Sequence, residues 1–328
     1  MSLERLAVTS LGIHDGNGKF VLRYFAVRFI RIILTLFGVV TLTFVLGRLT
    51  GDPVALMLPQ QATIEDYERM RAALGLDQPI IVQYVRYIEG LLRGDLGRSI
   101  VFQRSAVEVV IERIPATLAL GTPALILSLA LGVPLGMWSA YTQNRLPDRL
   151  IGSLSLAGQS LPSFAVGIVL ILVFSISLRW TPTFGSDTWR HFILPTITLT
   201  LYPLAIIIRM TRSSMLEVLS QPYMRTAMAK GLSPDYRAIR HALPNAVIPI
   251  VTVVGLQVAT IISGAAIVEA VFAWPGLGTL AVASVGGRDY PVIQTIVLLS
   301  AAAFGITNLL VDIVYLMVDP RIQKGAGG

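Results

Sequence analysis

The sequence holds no cysteine, three histidines and three lysines. Without cysteine there is no disulfide and no cysteine-based metal or redox centre. His14, His191 and His241 lie outside the long apolar runs or at their ends, and no G-x-S-x-G occurs. A serine-type intramembrane protease would therefore lack a base beside its nucleophile. An aspartyl counterpart needs two membrane carboxylates, and only Asp312 lies inside an apolar run. Lys19, Lys230 and Lys324 are not followed by Ser or Thr, so the phosphate-cradling loop Gly-x-x-x-x-Gly-Lys-Ser/Thr is absent. Charge is scarce as well, at 14% of residues against about 25% in soluble domains.

What the chain has instead is apolar length. Of its 328 residues 54% are hydrophobic, and mean hydropathy is +0.71. A bilayer core takes about 20 mostly apolar residues per helix. Segments of that kind occur at 29–48, 116–140, 152–178, 192–211, 246–268 and 292–317. The first follows Arg23, Arg28 and Arg31 without a small-residue cleavage site, and reads as an uncleaved anchor. Pro134, Pro162 and Pro203 inside the segments are tolerable in lipid, where neighbouring helices satisfy freed backbone groups.

Six spans place both termini on one side. The segments on that side carry 15 Lys and Arg against 6 acids, and the opposite side carries 11 Arg against 12 acids. The positive-inside rule then makes the termini cytoplasmic. The expected class is an all-α integral membrane protein with six transmembrane helices, and an extracytoplasmic helical loop between spans 1 and 2. The expected division is a cytoplasmic tail over 1–28, a transmembrane domain over 29–317 and a second tail over 318–328. Within the domain, 49–115 is the external loop and 212–245 a cytoplasmic one. Residues 1–24 are Gly-rich in part and read as flexible.

In the external loop, Thr63 with Asp66 is suited to cap a helix that Gly75 stops. Ile81, Tyr84, Val85, Ile88, Leu91 and Leu92 follow helical spacing after Pro79. Ser105 and Glu108 have the spacing of a second capping box, and Pro115 opens the next span. The loop is either a solvated cap over the bundle or a docking surface for an extracytoplasmic partner.

The cytoplasmic loop is unlike its surroundings: YMRTAMAKGLSPDYRAIRHALPN over Tyr223–Asn245 interrupts apolar sequence on both sides. Pro222 ends the preceding helix, a short helix runs through Thr226–Lys230 with Gly231 as its stop, and Ser233 or Asp235 caps the next. That helix reaches Leu243, and Pro244 opens the fifth span. Ala227, Ala229 and Gly231 permit close backbone approach. Charge alone fits an ordinary basic loop beside anionic lipid. The order of residues goes further. Arg225-Thr226-Ala227, then Gly231, then His241-Ala242-Leu243-Pro244 resembles the EAA loop of permease subunits of ATP-binding-cassette importers. Arg225 and Thr226 replace its Glu and first Ala, and His241 its Ile. The segments G-D-P at 51–53, L-G-L-D-Q-P at 74–79, G-D-L-G at 94–97, P-A-T-L at 115–118, S-L-P-S-F at 160–164, V-F-A-W-P-G-L-G at 271–278, R-D-Y-P at 288–291 and D-P-R at 319–321 are similar to the dipeptide, oligopeptide, glutathione and nickel branch.

The resemblance implies a multi-pass subunit of the bacterial inner membrane, not itself catalytic, that forms half of a translocation pathway for short peptides. Nickel complexes, glutathione or opines are the alternatives within the class. It implies a homologous second permease, two ATPase subunits that bind ATP and Mg, an extracytoplasmic binding protein, surrounding lipid and no nucleic acid. No cofactor or metal belongs to this chain. The ATPase contact would be made by Tyr223, Arg225, Thr226, Ala227, Met228, Lys230, Gly231 and Leu232, with His241 and Pro244 beside them.

Polar residues in the spans are pathway candidates because burying them is costly. Gln159, Ser160 and Ser163 flank Pro162. Gln257, Thr260 and Ser263 share a helical face, as do Asn308 and Asp312. Glu269 opens a Gly- and Pro-containing stretch to Gly278 that suits a partly re-entrant segment. Helix-to-helix packing accounts for Ser and Thr equally well. A stand-alone secondary transporter or channel is the rival reading, and the internal repeat expected of one is not evident.

Overall fold

The computed structural model describes residues 17–49, 54, 58, 61–73 and 75–318, with side chains described from Phe25 onward except at 259–264 and beyond 313. Among the described residues every regular element is a helix. The first, α1 (Asn17–Leu49), begins well before residue 29. The stretch Lys19–Arg28 contains no Gly or Pro to stop it, so the span propagates backward into what composition suggested was a flexible tail. Residues 1–16, and the tail beyond Val318, lie outside the description.

Three helices form the long first loop: α2 (Ile64–Ala73), α3 (Ile80–Leu92) and α4 (Ala106–Ile111). Thr63 and Asp66 cap α2 reciprocally. The Asp66 carboxylate accepts from the Thr63 amide at 3.1 Å and hydroxyl at 2.7 Å, and the Asp66 amide donates to the Thr63 hydroxyl at 3.2 Å. Those bonds hold the Asp66 carboxyl below its ordinary range. The second box, Ser105 with Glu108, does not form: Ser105 makes no side-chain cap. The start of α4 is held by backbone instead, the Ala106 amide donating to the Gly97 carbonyl at 3.0 Å. The loop is fixed to the bundle. Tyr84 bonds Thr41 of α1 at 2.6 Å, and Phe44 stacks on Tyr87.

Four more straight helices are long and apolar enough to cross a bilayer: α5 (Ile114–Tyr141), α8 (Arg190–Leu219), α11 (Leu243–Val271) and α13 (Tyr290–Val318). The third crossing is not the straight 152–178 helix expected. It is α6 (Leu146–Ser160) followed by α7 (Ser163–Leu170), bent by 101°, with a wide π-type turn over Ile171–Ser177. Pro162 breaks it where other prolines do not, because Leu161 before it is extended (φ −82°, ψ 128°), as a pre-proline residue prefers. Counted as one span, the bent pair makes six.

Helices α5 and α8 form the centre of the bundle. A Cβ on Gly132 would lie 2.7 Å from Ile207, and one on Gly136 would lie 2.6 Å from Thr211 and 2.7 Å from the Ile208 carbonyl. This is the small-xxx-small spacing that lets helix backbones touch in lipid, where dispersion replaces the hydrophobic effect as the driving force. Around that contact, Leu120, Leu194, Phe272 and Trp274 fill one end of the interior, and Met215, Met224, Ala242 and Ile250 fill the other. Outward faces carry exposed Phe29, Ile33, Leu34 and Phe37, as lipid-facing surface requires.

Candidate functional site

The loop after α8 contains a short helix, α9 (Pro222–Ala229), with Pro222 in its first turn. Its C-terminus is closed by two bonds: Gly231 N–H to the Met228 carbonyl at 3.0 Å, and Leu232 N–H to the Ala227 carbonyl at 3.4 Å. That is a Schellman motif with Gly231 at the left-handed position, φ +77°. Then Ser233 caps α10 (Pro234–Tyr236) by accepting from the Tyr236 amide at 3.3 Å. No new helix opens at Pro244. A wide turn over Arg237–Ala242 carries the helix on into α11. The missing proline N–H is absorbed in this π-type segment, where bonding already departs from the α pattern.

The loop is attached to the bundle by one side only. Met224 is buried with Met215, Ala238, Ala242 and Ala246, and the Tyr141 hydroxyl donates to the Pro234 carbonyl at 3.2 Å. Ala227 and Leu232 are half-buried. Tyr223, Arg225, Thr226, Met228, Lys230 and Gly231 are exposed, Met228 at 58%. A Cβ on Gly231 would meet nothing within 4 Å. His241 is half-buried with its ring 5.7 Å from that of Tyr236, and its carbonyl accepts from the Asn245 amide. Pro244 is exposed. The eight-residue helix and the Lys230–Gly231 turn that closes it thus present two large apolar side chains and two cations with no side-chain partner among the described residues.

Behind this loop lies a charge pair that composition could count only as two loop charges. Asp148, 6% exposed, accepts from Arg212 Nε at 2.6 Å and Nη2 at 2.8 Å. It also accepts from the Ser139 hydroxyl at 2.5 Å and the Asn144 amide at 2.9 Å. A fork-on-fork arginine pair of this kind is geometrically specific. It ties the start of the bent span to the helix that leads into α9.

The proposed pathway residues do not converge on one site. Gln159, Ser160 and Ser163 come together at the 101° elbow, where with Thr198 and Tyr202 of α8 they line a cavity of ≈ 320 Å³. Gln159 accepts from Arg209 at 2.5 Å. Gln257 is 5% exposed, and its amide oxygen has no hydrogen-bond partner among the described residues. The side chains of Thr260 and Ser263 lie outside the description. Asn308 and Asp312 border a smaller cavity against α1, in which Asp312 pairs with Arg28 at 2.9 Å.

Glu269 faces protein on every side and is fully buried. It accepts from the Thr117 hydroxyl at 2.6 Å and the Gly278 amide at 2.6 Å. After α11 the chain runs through Trp274–Gly276 into a short apolar helix, α12 (Leu277–Gly286), which packs back on α11 at Ala266. Gly276 and Gly278 are needed for contact, since a Cβ would lie 2.3 Å from the Glu269 carboxyl and 2.0 Å from Ala266. The Trp274 indole N–H donates to the Ala116 carbonyl at 2.8 Å, and the Thr117 hydroxyl accepts from the Leu277 amide at 2.8 Å. Two stretches far apart in sequence, P-A-T-L and W-P-G-L-G, thus lock together. Asp289 of R-D-Y-P does the same for the first loop, receiving the Ser99 hydroxyl and the Ile100 and Val101 amides.

Comparison with known proteins places this architecture. The sequence pattern of the family described as "Binding-protein-dependent transport system inner membrane component" matches residues 132–324. The pattern of its N-terminal companion matches 21–121. The glutathione transport system permease protein GsiC of Escherichia coli O6:H1 (strain CFT073) is 43% identical over 304 residues, 92% of this chain and 99% of that protein. GsiC of E. coli K12 is 42% identical over the same coverage. The MetNI methionine ABC transporter, solved in inward-facing conformations, contains a chain of like fold, with a TM-score of 0.56 at 18% identity over 64% of this chain and 96% of that one. The chain belongs to the binding-protein-dependent inner-membrane component family: it is a multi-pass, non-catalytic permease subunit of an ABC importer in the bacterial inner membrane.

Proposed function

We propose that this subunit imports short peptides, glutathione among them, and that α9 is the lever through which separate ATPase subunits drive it. The observation that carries the reading is the one-sided attachment of α9. Met224 anchors it, while Tyr223, Arg225, Met228 and Lys230 stand exposed beside a glycine with open space around it. An exposed apolar and cationic face on a capped helix suits a groove on a rigid partner. Both flanking helices run directly into membrane spans, so displacement of the socket reaches the bundle. Two ATPases carrying ATP and Mg, a second homologous permease and an extracytoplasmic binding protein complete the assembly in this reading, with α9 and both termini in the cytoplasm. Peptide transport is supported by the relatives' printed substrate, itself a tripeptide.

The test is Met228→Arg in the co-expressed complex. The Met228 side chain is largely exposed, so insertion and folding are expected to be unchanged. ATPase stimulation by loaded binding protein is expected to fall at least about tenfold, as for loss of an interface anchor. Wild-type assembly and stimulation would reduce α9 to an ordinary basic loop.

A further inference from the structure

The cavity at the elbow of the third span is lined by polar groups that are not equivalent. The Ser160 and Thr198 hydroxyls donate to carbonyls of their own helices, Leu156 and Leu194, both at 2.8 Å. The Ser163 and Tyr202 hydroxyls and the Gln159 amide nitrogen have no hydrogen-bond partner among the described residues. No Asp, Glu or His lines the space. Gln159 is also oriented. A guanidinium can only donate, so the atom that meets Arg209 at 2.5 Å must be the amide oxygen. The two N–H donors of Gln159 are left for another partner, with a positive charge directly behind them. The Ser163 and Tyr202 hydroxyls can donate as well as accept; with the Gln159 N–H groups, a cation behind them and no carboxylate in the lining, the set suits an anionic, acceptor-only group better than an ammonium or a metal ion. At ≈ 320 Å³ the space lies at the lower end of small-molecule pockets.

We propose that this cavity is a subsite for a carboxylate of the transported molecule, with Gln159 as its donor and Arg209 as the residue that orients Gln159. The proposal rests on the reading of the chain as a peptide-type importer subunit, and it names what that substrate must carry. Arg209 acts through Gln159 and is a positioning residue.

The experiment compares Gln159→Glu with Gln159→Met in the complete transporter with its partner subunits, using labelled glutathione as the probe. Both side chains keep the length of glutamine. If Gln159 only braces Arg209, Glu forms an ion pair in its place and is the milder change. If Gln159 donates to a carboxylate, Glu sets one carboxylate against another and is the harsher. The expected order is uptake reduced about tenfold by Gln159→Met, the lower end for loss of a hydrogen bond to a charged group, and further still by Gln159→Glu. Membrane levels are expected to stay within about twofold of wild type, so that the order of the two variants is read from uptake alone. Uptake by Gln159→Glu equal to or above that by Gln159→Met overturns the subsite and leaves the importer reading intact. A wild-type transporter whose ATPase responds to binding protein but which moves no glutathione overturns the substrate reading, and the subsite with it.

Discussion

Arg212→Ala and Asp148→Ala are expected to destabilise the chain unequally, although they break the same pair. The Asp148 side chain is 6% exposed and that of Arg212 32%. Removing Arg212 strands a carboxylate that cannot reach water and keeps only the Ser139 hydroxyl and Asn144 amide as donors. Breaking a buried pair in this way costs about 3–5 kcal/mol. Removing Asp148 leaves a guanidinium that can turn to solvent. The loss is then the orphaned Ser139 hydroxyl, which is fully buried, and the Asn144 amide, about 2 kcal/mol together. Asp148→Ala with Arg212→Ala removes both charges, strands no carboxylate, and is expected to cost less than the two single losses together. The resulting coupling energy is about 2 kcal/mol, within the range for residues in direct contact. Unfolding in mixed micelles, followed by the fluorescence of the four tryptophans, measures all of these, since a cysteine-free chain gives thiol-reactive dyes nothing to report. Additive effects within about 0.5 kcal/mol, or a larger cost for Asp148→Ala than for Arg212→Ala, would refute the reasoning.

Gly231→Ala is expected to weaken the end of α9 by about 1 kcal/mol through backbone strain alone, because its φ is +77° and its Cβ site is empty; local hydrogen exchange at 227–232 would report it, and global stability would not move. Thr117→Val removes a donor to Glu269 and the acceptor for the Leu277 amide. A loss of about 2–3 kcal/mol follows, seen as a lower unfolding midpoint, while unchanged stability would deny the lock. The absence of cysteine also makes single-cysteine labelling clean. Ile64→Cys, at a site 81% exposed, should react with an impermeant maleimide from the periplasmic side, and Thr226→Cys only after the inner membrane is opened; the reverse pattern would invert the topology.

The spans were legible because 20 apolar residues in a row have few alternatives to a membrane helix. The elbow at Pro162 was not. The sequence contains Pro123, Pro134, Pro195, Pro203 and Pro249 inside helices that continue through them, and nothing local separates those from the one that breaks. What decides is the extended conformation of Leu161 and a space on α8 for the turn to line. The loop helix was legible from Pro222, Gly231 and Ser233, whose roles are backbone roles and therefore local. Glu269 was singled out for its charge, yet its partners sit in α5 and α12, so periodicity could not show that it is an internal brace. The motif P-A-T-L was visible as a pattern, but its chemistry, a threonine hydroxyl that donates to one partner and accepts from another, exists only when Leu277 and Glu269 arrive.

Arg209 and Arg212 are three residues apart near the end of α8, and each holds a different end of α6. Arg212 takes Asp148 near its start, and Arg209 takes Gln159 near its finish. The same helix runs on through Leu219 to the turn before α9. A rigid shift of α8 therefore cannot leave α6 behind unless one of these bonds breaks, and the buried Asp148 pair resists breaking most. The two guanidinium contacts hold α6 and not α7, which lies beyond the Pro162 break. In the proposed coupling, motion entering at the loop is carried to the elbow and taken up there, where the cavity is.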